Sequence, residues 1–113
     1  MNEIAIDKLS IIDGAKAKWN SKNVESRNKT ALKYWHFFKK FNLKTNDWIN
    51  DFEHLSKCQQ NVIIKGELIR TYDSLSNSLK TTIMREFGLT KFSSKWYKLS
   101  GADKKALLNY VLT

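Results

Sequence analysis

Proline is absent from this sequence, glycine occurs four times (Gly14, Gly66, Gly88, Gly101) and cysteine once (Cys58). With so few turn-forming residues, tight β-turns are hard to build, whereas helices run without interruption. A lone cysteine excludes an internal disulfide and any zinc site built on several cysteines, and it fits a reducing compartment. No apolar run approaches the roughly 20 residues that a membrane-spanning helix needs, and the first residues lack a charged-then-apolar leader pattern. The expectation is a soluble, cytoplasmic protein with no membrane partner. Acids are scarce too, 11 against 20 Lys and Arg, for a net charge of +9.

Four Trp, four Tyr and six Phe in 113 residues are present instead. Such bulk offsets the entropy of ordering a chain and excludes general disorder. The length suits one domain with one core, with possible sub-units at 1–75 and 79–113 on either side of the Ser-rich run 74–78. The fold class expected is all-α, a compact bundle of about six or seven short helices.

The densest stretch is 21–44. Val24, Ala31, Trp35 and Phe38, with Leu32, Phe37 and Phe41, recur at the spacing of a helix that buries one side. Lys22, Arg27, Lys29, Lys33, Lys39, Lys40 and Lys44 lie between them, opposed only by Glu25. The spacing predicts a helix over 24–41, capped by Ser21 or Asn23. A first helix is predicted over 3–19 on Leu9, Ile12, Ala15 and Trp19, with a possible break near Gly14. A third is expected over 45–56 (Trp48, Phe52, Leu55) and a central fourth over 57–74. A fifth should run from near Leu79, capped by Ser76 or Asn77, and close at Gly88. A sixth stripe, Leu89, Phe92, Trp96 and Leu99, predicts a helix from Thr90. The last helix starts at Ser100 with Asp103 in a capping-box spacing; Leu107, Leu108, Val111 and Leu112 supply its apolar face, which suits either the chain's own core or a homodimer.

Charge is segregated along the chain: −2 over residues 1–13, +8 over 14–44, −2 over 45–79 and +5 over 80–113. Two basic blocks make a field that steers polyanions. Exposed aromatics among the lysines (Tyr34, His36, Phe37) could stack on unpaired bases, although such residues more often widen a core stripe. Catalysis finds little support. His36 and His54 have no clear partner, and Asp47, Asp51 and Glu53 read best as a solvated helix face. No spacing matches an established metal motif, and no glycine-rich phosphate loop is present. No enzyme activity, cofactor or metal is expected.

Two resemblances sharpen this. The segment 79–99, within LKTTIMREFGLTKFSSKWYKLS, resembles a helix-turn-helix, which implies that Lys91, Ser93, Ser94, Lys95 and Lys98 face a DNA groove or its phosphates. The order RNKTALKYWHFFKKF, TNDWINDFEHL, QQNVIIKGELIRTY resembles the core-binding, SAM-like domain at the N-terminus of tyrosine recombinases and phage integrases. That likeness implies a duplex-clamping bundle without a catalytic domain, with Arg27, Lys29, Lys33 and Lys40 as phosphate contacts. Lys22 and Lys44 belong to the same basic block. The function expected is a small, non-catalytic protein binding double-stranded DNA, a regulator or accessory factor of a phage or mobile element; the Lys-rich, Arg-poor composition suits an AT-rich genome of that kind. The alternative is an inhibitor or immunity-type factor whose basic face docks on an acidic partner protein.

Overall fold

Helix formation begins where apolar side chains first repeat at intervals of four. In a computed structural model of the chain, which describes residues 6–33 and 49–112, α1 spans Lys8–Ser21 and buries Ile11, Ala15 and Trp19 along one line. It starts later than expected because Asp7 stays extended, its carboxylate accepting a hydrogen bond from Ser10 Oγ at 2.6 Å. Gly14 does not break it. A Cβ placed on Gly14 would meet Glu67 Oε1 at 3.6 Å, ordinary van der Waals contact, so the Glu67 carboxylate lies directly against this turn of α1.

α2 spans Val24–Lys33, with Asn23 as its cap: Ser26 N–H donates to Asn23 Oδ1 at 2.8 Å. The remainder of the expected helix, to Phe41, lies outside the described residues. Two members of the expected buried stripe, Val24 and Leu32, are exposed. The side of α2 turned inward instead carries Arg27, which is 7% exposed.

The expected helix over 45–56 is not formed in its described part. Ile49 has 3-10 conformation, the chain bends at Asn50, and a 3-10 turn, Phe52–His54, follows. Neighbouring side chains take up the segment's backbone polar groups, leaving little for a helical ladder to satisfy. Trp19 Nε1 donates to the Asn50 carbonyl at 2.9 Å, Phe52 N–H donates to Asn20 Oδ1 at 2.8 Å, and the Gln60 amide donates to the carbonyls of Phe52 and Leu55.

α3 spans Lys57–Ser74, as the periodicity predicts, and opens with a reciprocal capping box between Ser56 and Gln59. Val62, Ile63, Ile64, Leu68 and Tyr72 are all buried, which makes α3 the central helix. It packs most extensively on α1 and also on the last helix. α4 spans Asn77–Glu86, capped by Ser76 Oγ, and ends at Gly88 with φ +62°. Leu89 N–H reaches back to the Met84 carbonyl at 2.9 Å, the closing bond of a Schellman turn that only glycine enters without strain.

The helix expected from Thr90 is absent. Residues 89–95 form a loop, followed by one 3-10 turn, Trp96–Lys98. α5 spans Gly101–Leu112 and buries Leu107 and Val111 completely, with Leu108 and Leu112 packed alongside; its apolar face closes the chain's own core. Ser100 Oγ accepts from Asp103 N–H at 3.1 Å, but the Asp103 carboxylate turns away from the expected return bond and holds Thr90 instead. Among the described residues there are thus five α-helices, 3-10 turns at Phe52–His54 and Trp96–Lys98 and no strand, an all-α fold with fewer helices than expected.

Because the space above Gly14 admits a methyl group, Gly14→Ala should raise stability by about 0.5–1 kcal/mol through helix propensity. Circular-dichroism melting should show Tm higher by about 2–6 °C. A lower Tm would mean that Glu67 cannot yield to the added carbon.

Candidate nucleic-acid interface

Burying a carboxylate is costly unless cations and hydrogen bonds compensate it. Glu67, whose side chain is only 9% exposed, is compensated twice: Lys18 Nζ lies 2.7 Å from Oε1 and Arg70 Nη2 lies 3.2 Å from Oε2. Lys18 comes from α1 and Arg70 from the next turn of α3, so the carboxylate ties the two helices and fixes both cations at the seam. Their side chains remain largely exposed, at 57% and 65%. Where α2 approaches this seam a cleft of about 140 Å³ opens. Ala15, Trp19, Ile63 and Gly66 give it apolar walls, and Lys18, Lys22, Thr30, Lys33 and Arg70 give it polar ones. Lys22 and Lys33 make no ion pair among the described residues. Four cations therefore face one cleft with a single carboxylate behind them.

The acidic middle of the chain neutralises part of the first basic block. Besides Glu67 on Lys18, Glu53 pairs with Lys16 at 2.8 Å and Asp51 with Arg27 at 2.9 Å. The hydrogen bond from Lys16 holds Glu53 below the usual carboxylate range and raises Lys16 in turn. Lys29 is exposed and lies 3.8 Å from Glu25, a loose surface pair of small energetic weight.

Arg27 is not a phosphate contact. Its guanidinium lies over the Trp19 ring at 5.8 Å and donates to the carbonyls of Lys22, Ile49 and Asn20 as well as to Asp51. Four of its five N–H donors go into fastening the α1–α2 corner to residues 49–51. Lys40 and Lys44, like Tyr34, His36 and Phe37, lie outside the described residues.

The second basic segment, 91–98, is a strapped loop rather than a reading helix, so it lacks the second helix of the expected helix-turn-helix. Asp103 accepts from Thr90 N–H and Oγ1, Tyr72 OH donates to the Ser93 carbonyl, Lys80 Nζ donates to the Ser94 carbonyl at 2.6 Å, and Asp73 Oδ1 accepts from Trp96 N–H at 2.8 Å. Burial, with the nearby Asp73 and Asp103 carboxylates adding to it, pushes the Tyr72 hydroxyl above a tyrosine's ordinary value, so it stays a proton donor to Ser93. Ser93 is buried and Ser94 half-buried, and neither is offered to a groove. Lys91, Lys95 and Lys98 are exposed. Arg70 and Asp73 sit one turn apart on α3, about 4.5 Å along the axis, so the cleft's rim and the loop's anchor are neighbours.

Lys18, Arg70 and Glu67 were not legible as site residues. The only local signal was the i, i+3 spacing of Glu67 and Arg70; the partner Lys18 is 49 positions away. Lys80, 4% exposed and 5.5 Å over the Tyr72 ring, is likewise a basic residue spent on structure.

Since a lysine cannot reproduce the guanidinium fork, Arg27→Lys should destabilise the fold by about 2 kcal/mol. Urea unfolding followed by tryptophan fluorescence measures it, and an unchanged midpoint would contradict the structural role. No protein family, curated protein or solved structure matches this chain.

Proposed function

We propose that the protein binds double-stranded DNA through the phosphate backbone, without catalysing a reaction, as an accessory or regulatory factor. The observation that carries this reading is the cleft at the α1–α2–α3 junction, where Lys18, Lys22, Lys33 and Arg70 stand around one buried carboxylate. Two of the four are held in place before any ligand arrives, which lowers the ordering cost of binding. A small anion would need the cleft alone. A polymer suits the continuation of positive charge beyond it, along α2 to Lys29 and, one helical turn from Arg70, into the loop with Lys91, Lys95 and Lys98. Phosphate contacts of this kind position a duplex and carry little sequence information. With no recognition helix at 90–99, binding is expected to tolerate sequence changes.

Binding driven by counterion release weakens steeply with salt, by about 0.9 in the log–log slope for each phosphate neutralised. A mobility-shift titration of a mixed-sequence duplex between low and physiological salt should give a slope of about −4 or steeper. Lys22→Gln with Lys33→Gln should weaken binding to unrelated duplexes alike and make the slope shallower by about 2. A flat salt response, or no complex at low salt, would contradict the proposal.

A further inference from the structure

We infer that the loop 91–98 is a stacking platform for unpaired bases, so that the preferred partner is DNA with a single-stranded stretch beside the duplex. The inference rests on the phosphate-binding reading above and specifies what the second basic segment does within it. The loop is one-sided. Ser93, Trp96 and Leu99, spaced by three, point inward and are 6%, 5% and 4% exposed. Most of the residues flanking them face out: Phe92 is 41% exposed and Tyr97 70%, among the exposed Lys91, Lys95 and Lys98, with Ser94 half-buried. The two rings cannot retreat, because the backbone around them is held by Asp103, Tyr72, Lys80 and Asp73, each through a side chain from another element.

The chemistry that fits is a flat, polarisable ring with a negative charge attached on either side. Tyr97 offers a ring face, and Lys98 Nζ lies 5.9 Å from its centroid, close enough to engage the phosphate next to a stacked base. Residues 87–102 contain three lysines and no acid, and the Asp73 and Asp103 carboxylates that strap the loop accept from Trp96 N–H and from Thr90. An acidic protein surface would satisfy the lysines but would leave two aromatic faces without planar partners. Stacking of this type accepts any base, because every base has a π-face. It also fits a segment that lacks the helix needed to read an intact major groove.

Three labelled probes of equal length test this: oligothymidylate, an abasic sugar–phosphate chain, and a duplex. Oligothymidylate should bind about ten-fold more tightly than the abasic chain. Tyr97→Ala, at a site too exposed to disturb folding, should abolish that difference and leave abasic and duplex binding unchanged, while Tyr97→Phe keeps it. Equal affinity for thymidylate and abasic chains, with salt-sensitive duplex binding retained, would overturn the stacking role and spare the phosphate reading. Failure of all three probes at low salt would remove both. Self-association lost in Tyr97→Ala, seen by sedimentation without any effect of the bases, would reassign the loop to contact between copies of the chain and overturn the inference as well.

Discussion

The buried Glu67 carboxylate is the constraint around which this structure is arranged. An unpaired carboxylate between α1 and α3 would cost several kcal/mol, so the two helices can pack there only with Lys18 and Arg70 in place. The carboxylate lies against α1 at Gly14, and Ile11, Ala15 and Trp19 form the buried line of the same helix. The ion pairs that permit the core to close therefore also present two cations at its edge. One arrangement thus serves both the packing of α1 on α3 and the placing of two exposed cations at the cleft.

A second theme is the replacement of helix by side-chain-to-backbone bonding. Residues 49–56 and 89–99 each have the apolar spacing of a helix, yet neither forms an α-helix. In both, polar side chains from neighbouring elements take the backbone groups: Trp19, Asn20, Arg27 and Gln60 in the first, Tyr72, Asp73, Lys80 and Asp103 in the second. Once those groups are satisfied, a helix adds little, while the loop leaves outward residues free for other work. Lys80 and Arg27 show the consequence for charge: both are basic, both are buried, and both spend their donors on the fold instead of offering them at the surface.

This division explains what the sequence could reveal. The bounds of α3 and the stop at Gly88 follow from local chemistry within four residues and were legible, as were the caps to within two candidates each, of which Asn23 and Ser76 make the bond. The Ser100 cap was half legible, because Asp103 answers to Thr90, 13 positions away. The stripe Leu89, Phe92, Trp96, Leu99 misled because few positions are needed to match a helical period over eleven residues, and a loop with inward residues every third position matches it too. Val24 and Leu32 misled for the opposite reason: they are apolar on a helix that turns Arg27 inward. At the candidate interface the basic blocks were visible, but which lysines are spent on acids depends on contacts across tens of residues. Ser93 and Arg27 fell on the wrong side of that distinction, while Lys22, Lys33, Lys91, Lys95 and Lys98 remained exposed or half-exposed.

The proposed nucleic-acid surface runs from the cleft at Glu67 to the loop beyond Asp73. Backbone amide shifts in a two-dimensional NMR titration with a short duplex carrying a single-stranded overhang report on it directly. Perturbations gathered at residues 18–22, 30–33, 66–70 and 91–98 are the predicted result. Shifts confined to α4 and the outer side of α5, or none at saturating duplex, would contradict it.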